Sequence, residues 1–189
     1  ESKAVVESIV AFCSHEKIPV YPYGGGSSVN LGFSPDKGGI TLCLSTHMKR
    51  VLEFNEKNQT ITVESGMSGP DLERTLNQSK EIFNAGFPYT CGHFPQSFEF
   101  STVGGWIMAK GSGQNSSYYG DACDLVISQE FVTPAGSFKT RDYPGTATGP
   151  MVNDMMKGSE GVFGILTSVT LKVFKYMPEN RNRFAFVFP

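Results

Sequence analysis

Apolar residues recur at two spacings along this chain, and together the spacings predict a mixed α+β fold. Residues 2–17 carry a broad apolar face at helical spacing, and Ser2 is placed to cap that helix. Short alternating or apolar segments then predict strands. These strands are expected at residues 20–23, 40–44, 51–55 and 60–64, with the last two joined as a hairpin.

The second half of the chain repeats this mixture around glycine-rich connections. Ser68 caps a predicted helix that has Pro70 in its first turn. Further predicted elements are a long loop at 82–96, a short helix starting at 101 or 102, a hairpin at 125–141, a short helix at 150–156 and a strand at 167–173. We therefore expect a first lobe over residues 1–65 and a second lobe over residues 66–189.

An alternating pattern at the end of the given sequence predicts one more strand. Phe184, Phe186 and Phe188 occupy every second position there. We therefore expect a further domain to follow Pro189.

Composition narrows the class of protein. The chain has 189 residues, 39% of them hydrophobic and 18% charged, as in globular domains. A net charge of −2 gives no basic field for nucleic acid. The four cysteines lie far apart without a C-x-x-C pair, so the sequence predicts no metal site and a reducing, intracellular compartment.

Residues 21–29, with the sequence YPYGGGSSV, form the first candidate site. Glycine carries no Cβ, so three in a row allow a ligand close to the backbone, and successive amides can form an anion nest. Ser27 and Ser28 add hydroxyl donors. This chemistry suits a pyrophosphate, and a surface loop without function is an equal alternative. If the loop binds phosphate, Gly25→Asp is expected to abolish binding and to leave the fold largely intact.

Two further glycine-rich stretches follow. Residues 101–109, STVGGWIMA, place Gly104 and Gly105 in the first turn of a predicted helix. A glycine pair there favours either an anion at the helix N-terminus or close packing against another element. Residues 158–164, GSEGVFG, form the third stretch and lead into a predicted strand.

The three stretches together resemble the FAD-binding domain of the vanillyl-alcohol-oxidase/PCMH superfamily. Within it, residues 98–106, FEFSTVGGW, look most like the alkyldihydroxyacetonephosphate synthase family. The resemblance covers nearly the whole chain. It implies a PCMH-type α+β fold of two α/β lobes with FAD between them.

The resemblance also implies which residues contact FAD. The diphosphate loop would be Pro22, Tyr23, Gly24, Gly25, Gly26, Ser27 and Ser28. The second stretch would contribute Pro95, Gln96, Ser97, Phe98, Glu99, Phe100, Ser101, Thr102, Gly104 and Gly105. Ala109, Lys110, Gly111 and Ser112 would contact the cofactor further along, and Glu160, Gly161, Val162, Phe163, Gly164, Ile165 and Leu166 would do so from the last turn.

This chain departs from the synthase pattern at five of these positions. Gln96 stands where the family has Asp and Ser27 where it has Thr. The segment Ala109-Lys110-Gly111-Ser112 stands where the family usually has Thr-Arg-Ala-Ser. Gln96 keeps hydrogen bonding without the charge, and Lys110 keeps a cation without the bidentate geometry of Arg. The departures weaken the resemblance to the synthase family and leave that to the superfamily intact.

We expect FAD to be held without a covalent bond. Many superfamily members tether the flavin through a histidine in the first loop, but no histidine lies between His15 and His47. Cys91 and His93 are the nearby alternatives, in the second stretch. His93 is interpreted either as a group near the flavin or as a loop histidine bonded to the backbone, with the second favoured.

By resemblance, the first functional hypothesis is a flavoenzyme of ether-lipid synthesis that exchanges the acyl group of acyl-dihydroxyacetone phosphate for a fatty alcohol. The alternative is an FAD-linked oxidoreductase acting on a 2-hydroxy acid or alcohol. A third is a domain that binds FAD or a nucleotide without chemistry of its own. No catalytic residue is identified, and the isolated chain is expected to be inactive. The resemblance further implies a cap domain after Pro189 that shares in binding a small or lipid-like substrate, and it allows a homodimer. It predicts a peroxisomal location for a eukaryotic synthase or a cytoplasmic one for a bacterial protein.

Overall fold

A computed structural model describes residues 2–143, 145–180, 182 and 184–188. The helices are α1 (Lys3–Glu16), α2 (Gly69–Asn77), α3 (Ser79–Phe83), α4 (Val103–Met108), α5 (Ser116–Tyr119) and α6 (Val152–Met156). The strands are β1 (Val20–Tyr23), β2 (Ile40–Cys43), β3 (Val51–Asn55), β4 (Thr60–Glu64), β5 (Tyr89–Thr90), β6 (Val126–Thr133), β7 (Gly136–Lys139), β8 (Ile165–Lys172) and β9 (Phe174–Lys175). In this part of the chain, no helix combines the length and apolar character that a membrane span requires.

The largest sheet has five strands in the order β3-β4-β8-β6-β7, and every neighbouring pair is antiparallel. Strand β8 is the last of these in sequence, yet it lies at the centre between β4 and β6. β1 and β2 form a separate parallel pair, and β5 pairs with β9.

Helix α1 covers one face of this sheet. Val6 and Val10 pack with Val132 of β6 and Ile165 of β8. The helix ends at Lys17, whose left-handed φ of 60° lets its amide bond back to the carbonyl groups of the last turn. A salt bridge of 2.7 Å from Lys3 Nζ to Glu130 Oε1 joins the start of the helix to β6.

The main hydrophobic core lies on the other face. Adjacent strand residues point to opposite sides, so Phe131 and Leu166 face away from α1. They pack with residues of β4, β8, α2 and α4, including Ile61, Val63, Leu72, Leu76, Val103, Trp106, Ile107, Val169 and Leu171. This core fixes α4 over the sheet, and α4 carries the second glycine-rich stretch.

The observed sheet changes the predicted division into lobes. β3 and β4 belong to the range 1–65, but β4 pairs along its whole length with β8. A boundary after residue 65 therefore cuts through a continuous sheet. The part of the first range that stands apart from this sheet is the β1–β2 pair.

Most predicted elements are confirmed within a few residues. The loop expected at 82–96 instead contains the end of α3 and the short strand β5. The expected cap on α1 is absent, because the Ser2 side chain makes no capping bond, whereas Ser68 Oγ accepts from the Asp71 amide at 3.2 Å. The strand expected from Phe184 is not formed, since residues 184–188 have no regular structure. Pro189 lies outside the described residues.

Candidate functional site

The three glycine-rich stretches meet around one cavity of about 360 Å³. It is lined by 19 of the predicted contact residues: Pro22, Tyr23, Gly24, Gly25, Gly26, Ser27, Ser28, Pro95, Ser97, Ser101, Thr102, Gly104, Gly105, Ala109, Gly111, Glu160, Gly161, Gly164 and Leu166. Chain segments that are far apart in sequence are thus brought together at one site.

Nine of the predicted contact residues do not line the cavity: Gln96, Phe98, Glu99, Phe100, Lys110, Ser112, Val162, Phe163 and Ile165. Two of them have clear packing roles. The Phe98 ring stacks on Trp106 at 6.3 Å, and the Lys110 side chain lies over Gly158, where a Cβ would come within 2.8 Å of it. These two side chains support the cavity wall from behind.

The first glycine loop lines the cavity and has unpaired backbone amides. Among the described residues, no acceptor receives the N–H groups of residues 24–29. The loop itself is held in place through its carbonyl groups, because Ser45 Oγ donates to Gly24 O at 2.9 Å. Gly26 has a φ of +69°, which an L side chain rarely adopts. A run of unpaired amides in one concavity is the arrangement that binds an anion such as a diphosphate.

The glycines also let this loop pack tightly on the second stretch. A Cβ at Gly25 would overlap the carbonyl oxygen of Phe100, and one at Gly24 would overlap Thr102 Oγ1. The expectation that Gly25→Asp leaves the fold intact is therefore wrong, because any side chain there must push two backbones apart.

Helix α4 does not offer its N-terminus to an anion. The Val103 amide donates to Met67 O and the Gly104 amide to Ser65 O, each at 2.8 Å, and the Gly105 amide donates to Thr102 Oγ1 at 3.3 Å. Because these bonds pair the first amides of α4, the alternative of an anion bound at this helix N-terminus is wrong. Gly104 is needed for packing, because a Cβ there would lie 2.7 Å from Ser65 Cβ. Gly105 is exposed and faces the cavity.

Ser101 and Trp106 fix the orientation of this helix. The indole N–H of Trp106 donates to Ser101 Oγ at 2.6 Å, and both side chains are buried. The buried indole nitrogen is thereby satisfied.

The third stretch contributes a charge and an unusual backbone. Glu160 has a φ of +48°, held by a bond from its amide to Met108 O at 3.1 Å. Its Oε1 accepts a long bond from Asn30 Nδ2 at 3.3 Å, across the cavity mouth. Among the described lining residues, Glu160 alone carries a charged side chain at neutral pH. A diphosphate in this cavity is therefore bound by neutral dipoles.

His93 is buried next to the cavity wall. Its ring packs edge-on to Trp106 at 4.8 Å, and neither ring nitrogen has a hydrogen-bond partner among the described residues. Burial lowers the pKa of His93 to about 4. The favoured interpretation, a histidine bonded to the backbone, is thus wrong for the described residues. A role near the flavin stays a prediction.

Cys91 is poorly suited to a covalent tether. It is 1% exposed, and burial raises the pKa of its thiol above the usual range, so the thiol stays protonated. The backbone around it is held by the buried Glu73, whose Oε1 accepts from the Cys91 amide at 2.7 Å.

Sequence reasoning missed several lining residues. They are Val29, Asn30, Gly32, Phe33, Leu44, Ser65, Trp106 and Met108. Val29, Trp106 and Met108 lie inside the candidate stretches 21–29 and 101–109 but were not among the predicted FAD contacts. Leu44 and Ser65 each end a strand segment and carry no local signal for a ligand.

Comparison with known proteins identifies the class to which this fold and cavity belong. A family model described as an FAD binding domain matches residues 1–141. The chain therefore belongs to the FAD-binding domain family, and its cofactor is FAD. Its fold is the PCMH-type FAD-binding fold, with helices and sheet around the cofactor cavity.

Particular relatives refine this result. The chain is 35% identical to alkyldihydroxyacetonephosphate synthase of Caenorhabditis elegans over 189 residues, which cover 98% of this chain and 30% of the relative. It is 32% identical to glycolate oxidase subunit GlcD of Bacillus subtilis (strain 168), covering 89% of this chain and 34% of that protein. A solved structure of alkyldihydroxyacetonephosphate synthase superposes with a TM-score of 0.80 at 31% identity, covering 92% of this chain and 30% of that one. The chain thus spans about 30% of the length of the synthases it matches.

Proposed function

We propose that this chain is the FAD-binding domain of a flavoenzyme resembling alkyldihydroxyacetonephosphate synthase. Such an enzyme exchanges the acyl group of an acylated dihydroxyacetone phosphate for a fatty alcohol, without net oxidation. The observation that carries the proposal is the similarity to synthases along almost the whole chain. The unpaired amides of residues 24–29 and the glycine-lined cavity fit the diphosphate of FAD.

In this proposal each part of the chain has a definite task. Residues 24–29 bind the diphosphate through backbone amides, and Ser27 and Ser28 add hydroxyl groups. Gly105 leaves room for the cofactor at the wall formed by α4. The turn around Glu160 closes the other side of the cavity. FAD supplies the redox-active ring, and substrate contacts come from outside this chain.

A second function remains in competition because the relatives include FAD-linked oxidoreductases. GlcD of B. subtilis and a D-lactate dehydrogenase of Saccharomyces cerevisiae are each 32% identical to this chain. The names of both indicate action on 2-hydroxy acids. The present chain would serve either chemistry, since both need the same cofactor domain.

An assay of the full-length protein distinguishes the two functions. With an acylated dihydroxyacetone phosphate and a fatty alcohol, a synthase should form the ether product while its oxidised flavin spectrum persists at steady state. An oxidoreductase should instead lose its flavin absorbance with glycolate or D-lactate when oxygen is excluded. Flavin bleaching by a hydroxy acid, with no ether product, would overturn the synthase proposal.

Three further properties belong to the same proposal. The bound FAD is non-covalent, which is supported by the buried, protonated Cys91 and the lack of histidine in the first loop. The full-length protein is a homodimer, to be checked by light scattering. It lies inside the cell, in peroxisomes for a eukaryotic source or in the cytoplasm for a bacterial one, to be checked by fluorescent tagging.

A further inference from the structure

Ser65 differs from the other buried serines of this protein. It is 1% exposed, and its Oγ has no hydrogen-bond partner among the described residues. The buried serines Ser79 and Ser128, by contrast, donate to Phe87 O at 2.9 Å and to Thr170 Oγ1 at 3.0 Å. Natural proteins rarely leave a buried hydroxyl unpaired, because this costs about 1–3 kcal/mol.

The backbone around Ser65 is fully paired and firmly placed. The Ser65 amide donates to Thr167 O at 3.0 Å, and Ser65 O accepts from the Gly104 amide at 2.8 Å. Ser65 packs closely on Gly104, since a Cβ at position 104 would lie 2.7 Å from Ser65 Cβ. Ser65 is thus held where β4, β8 and α4 meet.

Ser65 also lines the cavity, whereas the other buried side chains with unpaired polar atoms, His93 and Gln129, do not. A serine hydroxyl can donate to a phosphate or carbonyl oxygen and can accept from a sugar hydroxyl. FAD offers all three kinds of group. A ligand atom at the cavity floor would supply the partner that the protein itself lacks.

We propose that Ser65 Oγ forms a hydrogen bond with bound FAD at the floor of the cavity. Ser65 is then a cofactor-recognition residue outside the three glycine-rich stretches. This inference rests on the FAD site described above. It has a distinctive consequence: the hydroxyl contributes to affinity for FAD and contributes nothing to the stability of the FAD-free protein.

The test compares Ser65→Ala with the matched variant Ser79→Ala in FAD titrations and in thermal unfolding without FAD. Ser65→Ala should raise the Kd for FAD by about 5- to 30-fold. Without FAD its Tm should equal or exceed that of the parent, since an unpaired buried hydroxyl has been removed. Ser79→Ala should show the reverse pattern, with a lower Tm and an unchanged Kd.

A second variant guards against misfolding. Ser65→Cys keeps a γ-atom of somewhat larger size that donates only weakly, so its Kd should lie between those of the parent and Ser65→Ala. The proposal is overturned if Ser65→Ala binds FAD like the parent, or if it lowers the Tm of the FAD-free protein as Ser79→Ala does. A parent protein that binds no FAD would overturn the cofactor site as well, so the two failures are distinguishable.

Discussion

At the scale of single residues, the described lining of the cavity offers an anionic cofactor no cationic side chain. Backbone amides of residues 24–29 are unpaired, and the charged lining residue that the structure describes is an acid, Glu160. Partial charges on fixed amides do not depend on protonation. The affinity for FAD is therefore set by geometry far more than by net charge.

Removal of the charge of Glu160 should strengthen FAD binding. The carboxylate repels the diphosphate, and because Glu160 is exposed the repulsion is partly screened by solvent. Glu160→Gln is expected to lower the Kd by up to about 5-fold at low salt, measured by titration. The difference should disappear at about 0.5 M NaCl, where screening is strong.

A suitable control for this measurement is Glu179→Gln. Glu179 is exposed and lies outside the cavity lining. The control should bind FAD like the parent at every salt concentration. Weaker binding by Glu160→Gln would show instead that the carboxylate accepts hydrogen bonds from the cofactor.

His93 should make the folded protein sensitive to acid. Its pKa is about 4 when folded and near 6.5 when unfolded, so between these values the unfolded chain takes up a proton that the folded protein does not. Stability is therefore lost as the pH falls through this window. His93→Phe should remove this contribution, and the free energy of unfolding of the parent minus that of the variant should decrease from pH 7 towards pH 4.

The parent must be compared with His93→Phe because other groups titrate in the same pH range. Burial raises the pKa values of Glu64 and Glu130, but their bonds to Arg50 and Lys3 lower them by more, so both pKa values are lowered overall. These two carboxylates therefore also stabilise the folded state less in acid. These groups are shared by parent and variant and cancel. A constant difference between parent and His93→Phe across the window would contradict the prediction.

At the scale of the element, α4 contains two glycines, which lower its helix propensity but leave space beside its backbone. Gly104 must be glycine because Ser65 packs against it, but a Cβ at Gly105 meets only Thr102 Oγ1, at 3.2 Å. A small shift of that hydroxyl would accommodate a methyl group. The free energy that glycine costs at position 105 is therefore explained by the cofactor and not by the fold.

Gly105→Ala should separate stability from binding. Alanine in place of glycine favours the helix by about 1 kcal/mol, so the FAD-free protein should unfold at a higher temperature. The added methyl group lies at the cavity wall and should weaken FAD binding at least several-fold, measured by titration. Gly145→Ala, where a Cβ meets nothing within 4 Å, is the control and should leave FAD affinity unchanged.

The helices and strands also show how far the sequence could predict this site. Local spacing recovers α1, the β3–β4 hairpin and the glycine loop, because each depends on neighbouring residues. The insertion of β8 between β4 and β6 was not predicted, since alternation shows which side chains are buried but not which strands pair. Ser65 was missed for a related reason: its missing partner becomes visible only when β8 and α4 surround it. The N-terminus of α4 was misjudged because the acceptors of its amides, Ser65 and Met67, lie far away in sequence.

At the scale of the whole molecule, the proposed FAD site joins elements that belong to different sheets. The β1–β2 pair is separate from the main sheet, and the cavity lies between the loop after β1 and the elements α4 and β8. A ligand that binds only the folded state raises stability with the logarithm of its concentration. Most of that stabilisation should reach the first glycine loop, because its amides gain partners.

Denaturation should release the flavin without a covalent remnant. Acid or heat should free the yellow colour into the supernatant, because hydrogen bonds and buried contacts are lost on unfolding. The intact mass of the precipitated protein should equal that of the chain alone. Colour retained in the pellet, with a flavin-sized mass on a peptide containing Cys91 or His93, would contradict non-covalent binding.

The central position of β8 has a consequence for biosynthesis. A nascent polypeptide that has emerged only as far as β7 lacks the strand that joins β4 to β6 in this sheet. The cavity lining also includes Gly164 and Leu166, at the start of β8. Ribosome-bound intermediates stalled before this segment should therefore be unable to retain flavin. Cofactor loading becomes a checkpoint in the maturation of this domain, passed only when β8 has been inserted into the centre of the sheet.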